Sequence, residues 1–366
     1  MVSIRAVPLT ATHDEPAAAL LRGYVDAMNA SIVDTWGNTD FIREPHELLG
    51  AMRDQEYERR VRLAAVDDDA GDEPTPAQVH GYGVLNMPLR DNTTWAYVEV
   101  GVRPGSRGRG VGGALYDELV LRARAGGRTT LMGESEHAAE PPAGPGALTA
   151  PTGSGRVPVD APSVRFAQAR GFVLEQVERH SRLGVPLDEA FVEQQRALAA
   201  QAAGDEYRTV GWSGDTPEEW VDAMAVLKTR MSAGVPLAGL EYEEDRWDAE
   251  RVRAADRTIA ARGLSRVVTT ALHVPSGQLV GYTEFLTIPT SQEFVYQDDT
   301  LVLQEHRGHR LGMLVKAANL QRLAVERPRV RRIGTWNAEE NDHMLAINIA
   351  LGFRPAGCCG AWQLKL

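Results

Sequence analysis

The sequence predicts an α/β (α+β) chain of two tandem domains built to one plan. Three observations predict it. A basic, glycine-containing turn between an apolar strand and an apolar helix occurs twice, as Arg107-Gly108-Arg109-Gly110-Val111-Gly112 and, 200 residues on, as Arg307-Gly308-His309-Arg310-Leu311-Gly312. The hydrophobic periodicity gives the order β, α, α, β, β, β, turn, α, β, α, β, β in each half. A helix ending in Gly-Phe also recurs, as Ala169-Arg170-Gly171-Phe172 and Ala350-Leu351-Gly352-Phe353. A chain of 366 residues is long enough for two separate cores.

The first half opens on a strand at 4–7, followed by helical patterns at 15–29 and 45–60. A short apolar strand at 61–66 ends in an acidic turn from Asp67 to Pro74. Strands at 79–87 and 95–102 flank the turn residues Asp91 and Asn92, and lead into the first glycine turn. A helix at 110–125 and a strand at 129–132 follow. The stretch 138–162 is rich in Pro, Gly and Ala, has no periodicity, and reads as a mobile loop. A short helix at 163–170 and strands at 172–177 and 181–185 complete the first domain, 1–186. An Ala-rich helix within 187–204 reads as a connector. The second domain, 205–366, repeats the order. It has a strand at 207–212, helices at 217–231 and 247–262, and strands at 267–273, 279–286 and 293–302. Past its turn come a helix at 311–325, a strand at 330–336, a helix at 341–351 and closing strands from 353.

The formal net charge of −11 argues against nucleic acid as a partner, because duplex binding needs a basic surface. No apolar run reaches membrane-span length, so no membrane helix is expected. The N-terminus reads as a strand and not as a signal segment, and the expected compartment is the cytoplasm. Cys358 and Cys359 are the only cysteines. They offer no disulfide framework and no metal spacing, so packed, reduced thiols and no metal are expected.

The repeated turn carries the chemistry. Backbone N–H groups at the start of a helix have no intrahelical acceptor, and the helix dipole adds positive charge there. Such a turn suits a phosphate or pyrophosphate. Gly108, Gly110 and Gly113 also match the spacing of the dinucleotide fingerprint, with Glu134 where a ribose-binding acid would sit. Against that reading, five residues separate the strand from the glycines, the second copy has Arg310 in place of a glycine, and the motif comes late in each half. A P-loop is excluded, because no Lys-Ser/Thr pair follows the glycines.

The two phrases together resemble the GCN5-related N-acetyltransferase (GNAT) superfamily. Its signature is Gln/Arg-x-x-Gly-x-Gly/Ala after the fourth strand, with a second signature at a helix ending in Gly-Phe. The first turn fits every fixed position, and the second fits except at Arg310. The resemblance spans nearly the whole chain as a tandem duplication. It implies a mixed, mostly antiparallel twisted sheet flanked by helices in each domain. It also implies acetyl-CoA or another acyl-CoA as co-substrate, and direct attack of an amine on the thioester. Carried onto this sequence, it implies CoA contacts from Val102, Arg107, Gly108, Arg109, Gly110, Val111 and Gly112 in the first half. In the second half it implies them from Val302, Arg307, Gly308, His309, Arg310, Leu311, Gly312, Asn341 and Asn348.

An amine arrives as an ammonium and must lose a proton before it attacks, which a carboxylate can accept. Glu99 and Asp299 each lie eight residues before the arginine of a turn, on the fourth strand. Glu284, on the third strand of the second half, is a further candidate base. The tyrosine that many relatives place four residues before Gly-Phe is absent here, where Ala167 and Asn348 stand. Tyr282, Tyr296 or water could serve instead. The second half keeps more polar residues near its expected acceptor cleft, which favours catalysis there, with CoA bound in both halves. The acceptor expected is a small-molecule amine, and an oligomer is compatible with the sequence. The alternative is a CoA-binding regulatory or scaffold protein with one or both domains inactive.

Overall fold

The computed structural model describes residues 2–234 and 236–366. The chain divides into two compact units, residues 1–178 with 237–242 and 357–366, and residues 179–236 with 243–356. The sequence places the division at 186–205, whereas here the first unit ends at 178 and also takes 237–242 and 357–366.

In the first unit β1 (Val2–Ala6), β2 (Glu58–Asp67), β3 (Val79–Pro88) and β4 (Trp95–Val102) form an antiparallel meander. Next in the sheet come β5 (Thr130–His137), then the end of the C-terminal strand, then the start of β8 (Val173–Gly184). The C-terminal strand, β14 (Arg354–Lys365), runs antiparallel to β5 from Cys358 opposite His137 to Lys365 opposite Thr130. Period-two alternation sends Leu63 and Leu85 to one face and Ala64 and Val84 to the other. The first face packs on α3 (Val111–Ala125) through Leu115 and Leu119, and on α4 (Pro162–Ala169) through Val164. The second packs on α1 (Ala19–Trp36) and α2 (Pro45–Arg53) through Tyr24, Val25 and Leu49.

Three expectations for this half are corrected. The helix expected over 45–60 stops at Arg53, and β2 begins at Glu58 because β3 is long enough to pair it from Glu58 to Val66. The stretch expected to be a mobile loop holds a hairpin, β6 (Ala147–Thr149) with β7 (Arg156–Pro158). Ala150 and Val157 anchor it in the core, which composition could not reveal. The two strands expected over 172–185 are one continuous strand, β8.

The second unit has the order β8, β13 (Arg332–Ala338), β12 (Ser291–Val302), β11 (Gln278–Ile288), β10 (Ser265–His273), β9 (Tyr207–Ser213). Its sheet lies between α8 (Leu311–Glu326) on one face and α6 (Val221–Gly234) on the other, with Val267 and Phe285 in one core and Val268 and Tyr282 in the other. The expected connector is α5 (Glu189–Ala203). It is capped by Asp188, whose carboxylate accepts from the Phe191 N–H, and it buries Val192, Ala199 and Ala203 in this core. The remaining helices are α7 (Ala249–Ala261) and α9 (Asp342–Leu351), and the closing region from 353 is the single strand β14. Both cysteines are free and buried.

Candidate active site

β4 and β5 run parallel but pair only from Trp95 to Tyr97, opposite Thr130 to Met132. Beyond Tyr97 they diverge. A Cβ on Gly133 would lie 2.9 Å from the Val98 carbonyl oxygen, so the glycine lets the strands meet at the fork before they part. The fork opens a cleft of 750 Å³. It runs from the first turn along Val98–Val102, past Tyr116, Phe166 and Ala167, to Glu99, Glu134 and Glu136. The expected contacts Val102, Arg107, Gly108, Gly110, Val111 and Gly112 line it, whereas Arg109 lies in the same turn outside the lining.

The turn reaches α3 through two left-handed residues, Gly108 at φ 75° and Gly110 at φ 83°. A Cβ at either would meet open space. Gly110 is the N-cap, no side chain caps the helix, and no acid stands in its first turn. Its first N–H groups therefore remain available to an anion. Arg107 is exposed and donates to the Val102 carbonyl at 3.1 Å and to Asp34 at 2.7 Å.

The far end of the cleft is acidic. Glu99 accepts from the Tyr82 hydroxyl at 2.7 Å. The Tyr82 ring crosses Gly101, where a Cβ would lie 2.0 Å from the ring. Glu134 accepts from the Tyr97 hydroxyl at 3.2 Å, and Glu136 from the Trp36 indole N–H at 2.7 Å. Burial raises Glu134 to about 7, reinforced by the nearby Glu178 and Glu99 carboxylates. Burial likewise raises Glu136 to about 7, against the Trp36 hydrogen bond. Both side chains reach water through the cleft. His137, more enclosed, is lowered to about 4 by burial.

The second half keeps the turn and fills the space above it. Gly308 and Arg310 adopt φ 88° and 55°, so the backbone shape survives the loss of the glycine. At a non-glycine this conformation costs about 1 kcal/mol. Arg307 donates to the Val302 carbonyl at 3.3 Å. Leu311 is buried, and a Cβ on Gly312 would lie 3.0 Å from Ile347 Cδ1. Asn341 caps α9, accepting from the Met344 N–H at 3.3 Å. Asn348 is buried, accepts from Lys316 Nζ at 2.8 Å and donates to Asn337 at 2.7 Å. His309 stacks near Tyr207, whose hydroxyl meets His306 Nδ1 at 3.0 Å. Two smaller cavities, of 10 and 480 Å³, include no residue of this turn.

The acids of the second half are bound to cations. Lys228 Nζ lies 2.5 Å from Glu284 and 2.8 Å from Asp299, and Arg266 joins Asp256 at 2.5 Å and Glu284 at 3.5 Å. Tyr282, a candidate proton donor, is buried and gives its hydroxyl to Asp299 at 2.7 Å. Burial would raise the Asp299 carboxyl, but the Lys228 charge and these hydrogen bonds hold it below the usual range. Burial would lower Lys228, but Asp299 and Glu284 hold it above its usual range. Catalysis was expected in the second half because of these polar residues. In the structure Glu284 and Asp299 are paired with Lys228, and the 750 Å³ cleft lies in the first half.

The whole chain matches a tandem GNAT protein from the clavulanic acid biosynthesis pathway, with a TM-score of 0.73 and 26% identity over 99% of this chain and 98% of that one. The chain has the tandem GNAT fold. A GCN5-related N-acetyltransferase from Sphaerobacter thermophilus shares the fold, with a TM-score of 0.58 and 14% identity over 100% of this chain and 95% of that one. No protein-family model matches the sequence, and no curated protein does.

Sequence reasoning missed Glu136, Tyr97, Tyr116 and the Lys228 cluster, and saw Glu134 only as a rival ribose-binding acid. The alternation of Glu134 and Glu136 on β5 was the available signal, since both must share one face of a strand. Among the described residues no cluster of three or more His, Cys, Asp or Glu could hold a metal, and no helix is long and apolar enough to cross a membrane.

Proposed function

We propose that the chain is an acyl-CoA-dependent N-acyltransferase whose working site is the cleft of the first half, with acetyl-CoA the expected donor and a small-molecule amine the acceptor. One observation carries the reading. A single cleft joins a vacant-sided anion turn to three carboxylates through the fork between β4 and β5. The donor fits on the chain's own geometry: Gly108 and Gly110 leave open space where side chains would otherwise stand, beside the exposed Arg107. Gly108, Gly110, Val111 and Gly112 would hold the pyrophosphate, and the unpaired edge of Val98–Val102 would hold the pantetheine arm. When bound, acyl-CoA supplies an activated acyl carbon, to which a C–N bond forms as the C–S bond breaks.

The chain's residues manage the protons. Glu99 receives the proton of the incoming ammonium, directly or through water, with Glu134 and Glu136 on the same cleft wall. Tyr116 lines the wall beside Ala167, and burial keeps its hydroxyl protonated at neutral pH. It is the candidate to return a proton to the departing thiolate.

Thiol release from acetyl-CoA across an amine panel, in wild type and Glu99→Gln, tests this reading. Amine-dependent release, reduced about 100-fold in the variant, is expected. Tight CoA binding without release from any amine would favour the alternative, a CoA-binding regulatory or scaffold protein. Ala167, which cannot donate a proton, is the observation on that side.

A further inference from the structure

The duplication places a natural comparison beside the first cleft. Tyr24-Val25-Asp26-Ala27-Met28 in α1 recurs as Trp220-Val221-Asp222-Ala223-Met224 at the start of α6, and this register sets Lys228 opposite Ile32. Tyr282 and Asp299 repeat Tyr82 and Glu99, with the same 2.7 Å hydroxyl-to-carboxylate hydrogen bond. In the second half the Lys228 ammonium sits 2.8 Å from Asp299 and 5.0 Å from the centre of the Tyr282 ring. That lysine is in effect a tethered primary alkylamine held by the Tyr–carboxylate pair through an ion pair and a cation–π contact. In the first half Ile32 carries no charge, and the equivalent pair faces the open cleft.

The charge count of that cleft adds a second argument. Glu99, Glu134 and Glu136 are hydrogen-bonded by Tyr82, Tyr97 and Trp36, all neutral donors. None of the three forms an ion pair with Lys or Arg among the described residues. Arg43, the cation acting on Glu136, is itself paired with Glu47 at 2.9 Å. A nitrogen that reacts must first become neutral, so a monoamine offers Glu134 and Glu136 no cation at the moment of attack.

We infer that the acceptor of the first half is a flexible dicationic alkylamine, a diamine or longer polyamine. One nitrogen seats beside Tyr82 and Glu99, while a second ammonium is held by Glu134 and Glu136. The reacting nitrogen gives up its proton to a carboxylate or water and takes the acyl group as the thiolate leaves and is protonated. The second nitrogen keeps its charge, so a diamine leaves as a monoacylated monocation. This inference rests on the reading of the cleft as an acyltransferase site.

The test compares 1,4-diaminobutane with 1-aminobutane on the full chain. Binding of each amine to the CoA-saturated protein is measured by calorimetry, and thiol release from acetyl-CoA is measured in parallel. The diamine is expected to bind about tenfold more tightly, with a similar advantage in kcat/KM. The Glu134→Gln/Glu136→Gln double variant is expected to lose that advantage while still binding CoA. Equal behaviour of the two amines in wild type, or an advantage that survives in the double variant, overturns the substrate class alone. Failure of CoA to bind at all overturns the site reading, and the inference with it.

Discussion

The Tyr82 hydroxyl donates to Glu99 at 2.7 Å, and 200 residues later the Tyr282 hydroxyl donates to Asp299 at the same distance. The two copies differ in what lies beyond the carboxylate. In the first half it is the cleft, and in the second it is Lys228. Tyr82→Phe is expected to lower kcat about tenfold and leave the KM for the acyl donor unchanged, since the hydroxyl orients Glu99 and is remote in role from the anion turn. Steady-state kinetics check this, and a pure KM effect would contradict it.

Lys228→Met leaves the buried Glu284 and the half-buried Asp299 with one fewer cation. Breaking a buried ion cluster by removing one partner costs about 3–5 kcal/mol. Urea denaturation is expected to show a loss of that order. Asp34→Ala, which removes the exposed pair with Arg107, is expected to cost less than about 1 kcal/mol. Similar losses in the two variants would show that Lys228 does not hold the second half closed.

The kcat/KM for amine is expected to rise with pH through about 7, where Glu134 and Glu136 ionise in the free enzyme. Glu99, Glu178, Arg43, Tyr97 and Trp36 act on these two groups. Removing one carboxylate relieves repulsion on the others, so Glu134→Gln is expected to move the rising limb to lower pH. Stability runs the other way. These carboxyls hold their protons longer in the fold than in the unfolded chain, so stability falls as pH rises from about 4.5 to about 7. A pH profile flat from 5 to 8 would contradict the assignment.

Lys316, at the α8 position 200 residues from Tyr116, is buried in the second half, and burial lowers it to about 7. An amine whose folded value lies below its unfolded one binds more protons when unfolded, so stability rises with pH from about 7 to about 10.5. The difference in Tm between wild type and Lys316→Met is therefore expected to shift in favour of wild type across that window. A constant difference from pH 7 to 10 would show that Lys316 stays charged in the fold.

The anion turns were legible because their geometry is local. Glycine at 108 and 110, a strand before and an apolar helix after specify the shape within fifteen residues. Arg310 shows that this shape tolerates one lost glycine. The filling of the second cleft was not legible. Lys228 meets partners 56 and 71 residues away, and no local pattern announces such a contact. Glu134 and Glu136 were readable as one face of a strand. Their role as a cleft wall depends on β4 and β5 ceasing to pair after Tyr97, which is a tertiary fact. The same holds for the hairpin at 147–158, whose buried Ala150 and Val157 sit in a stretch composed like a linker.

On the proposed function the first half, and not the second, holds the thioester donor. Calorimetric titration with CoA of wild type, Gly112→Glu and Gly312→Glu tests it most directly, because a glutamate at either helix start sets a like charge against the pyrophosphate. One tight site per chain is expected, abolished in Gly112→Glu and retained in Gly312→Glu. Tight binding that persists in Gly112→Glu, or disappears in Gly312→Glu, would contradict it.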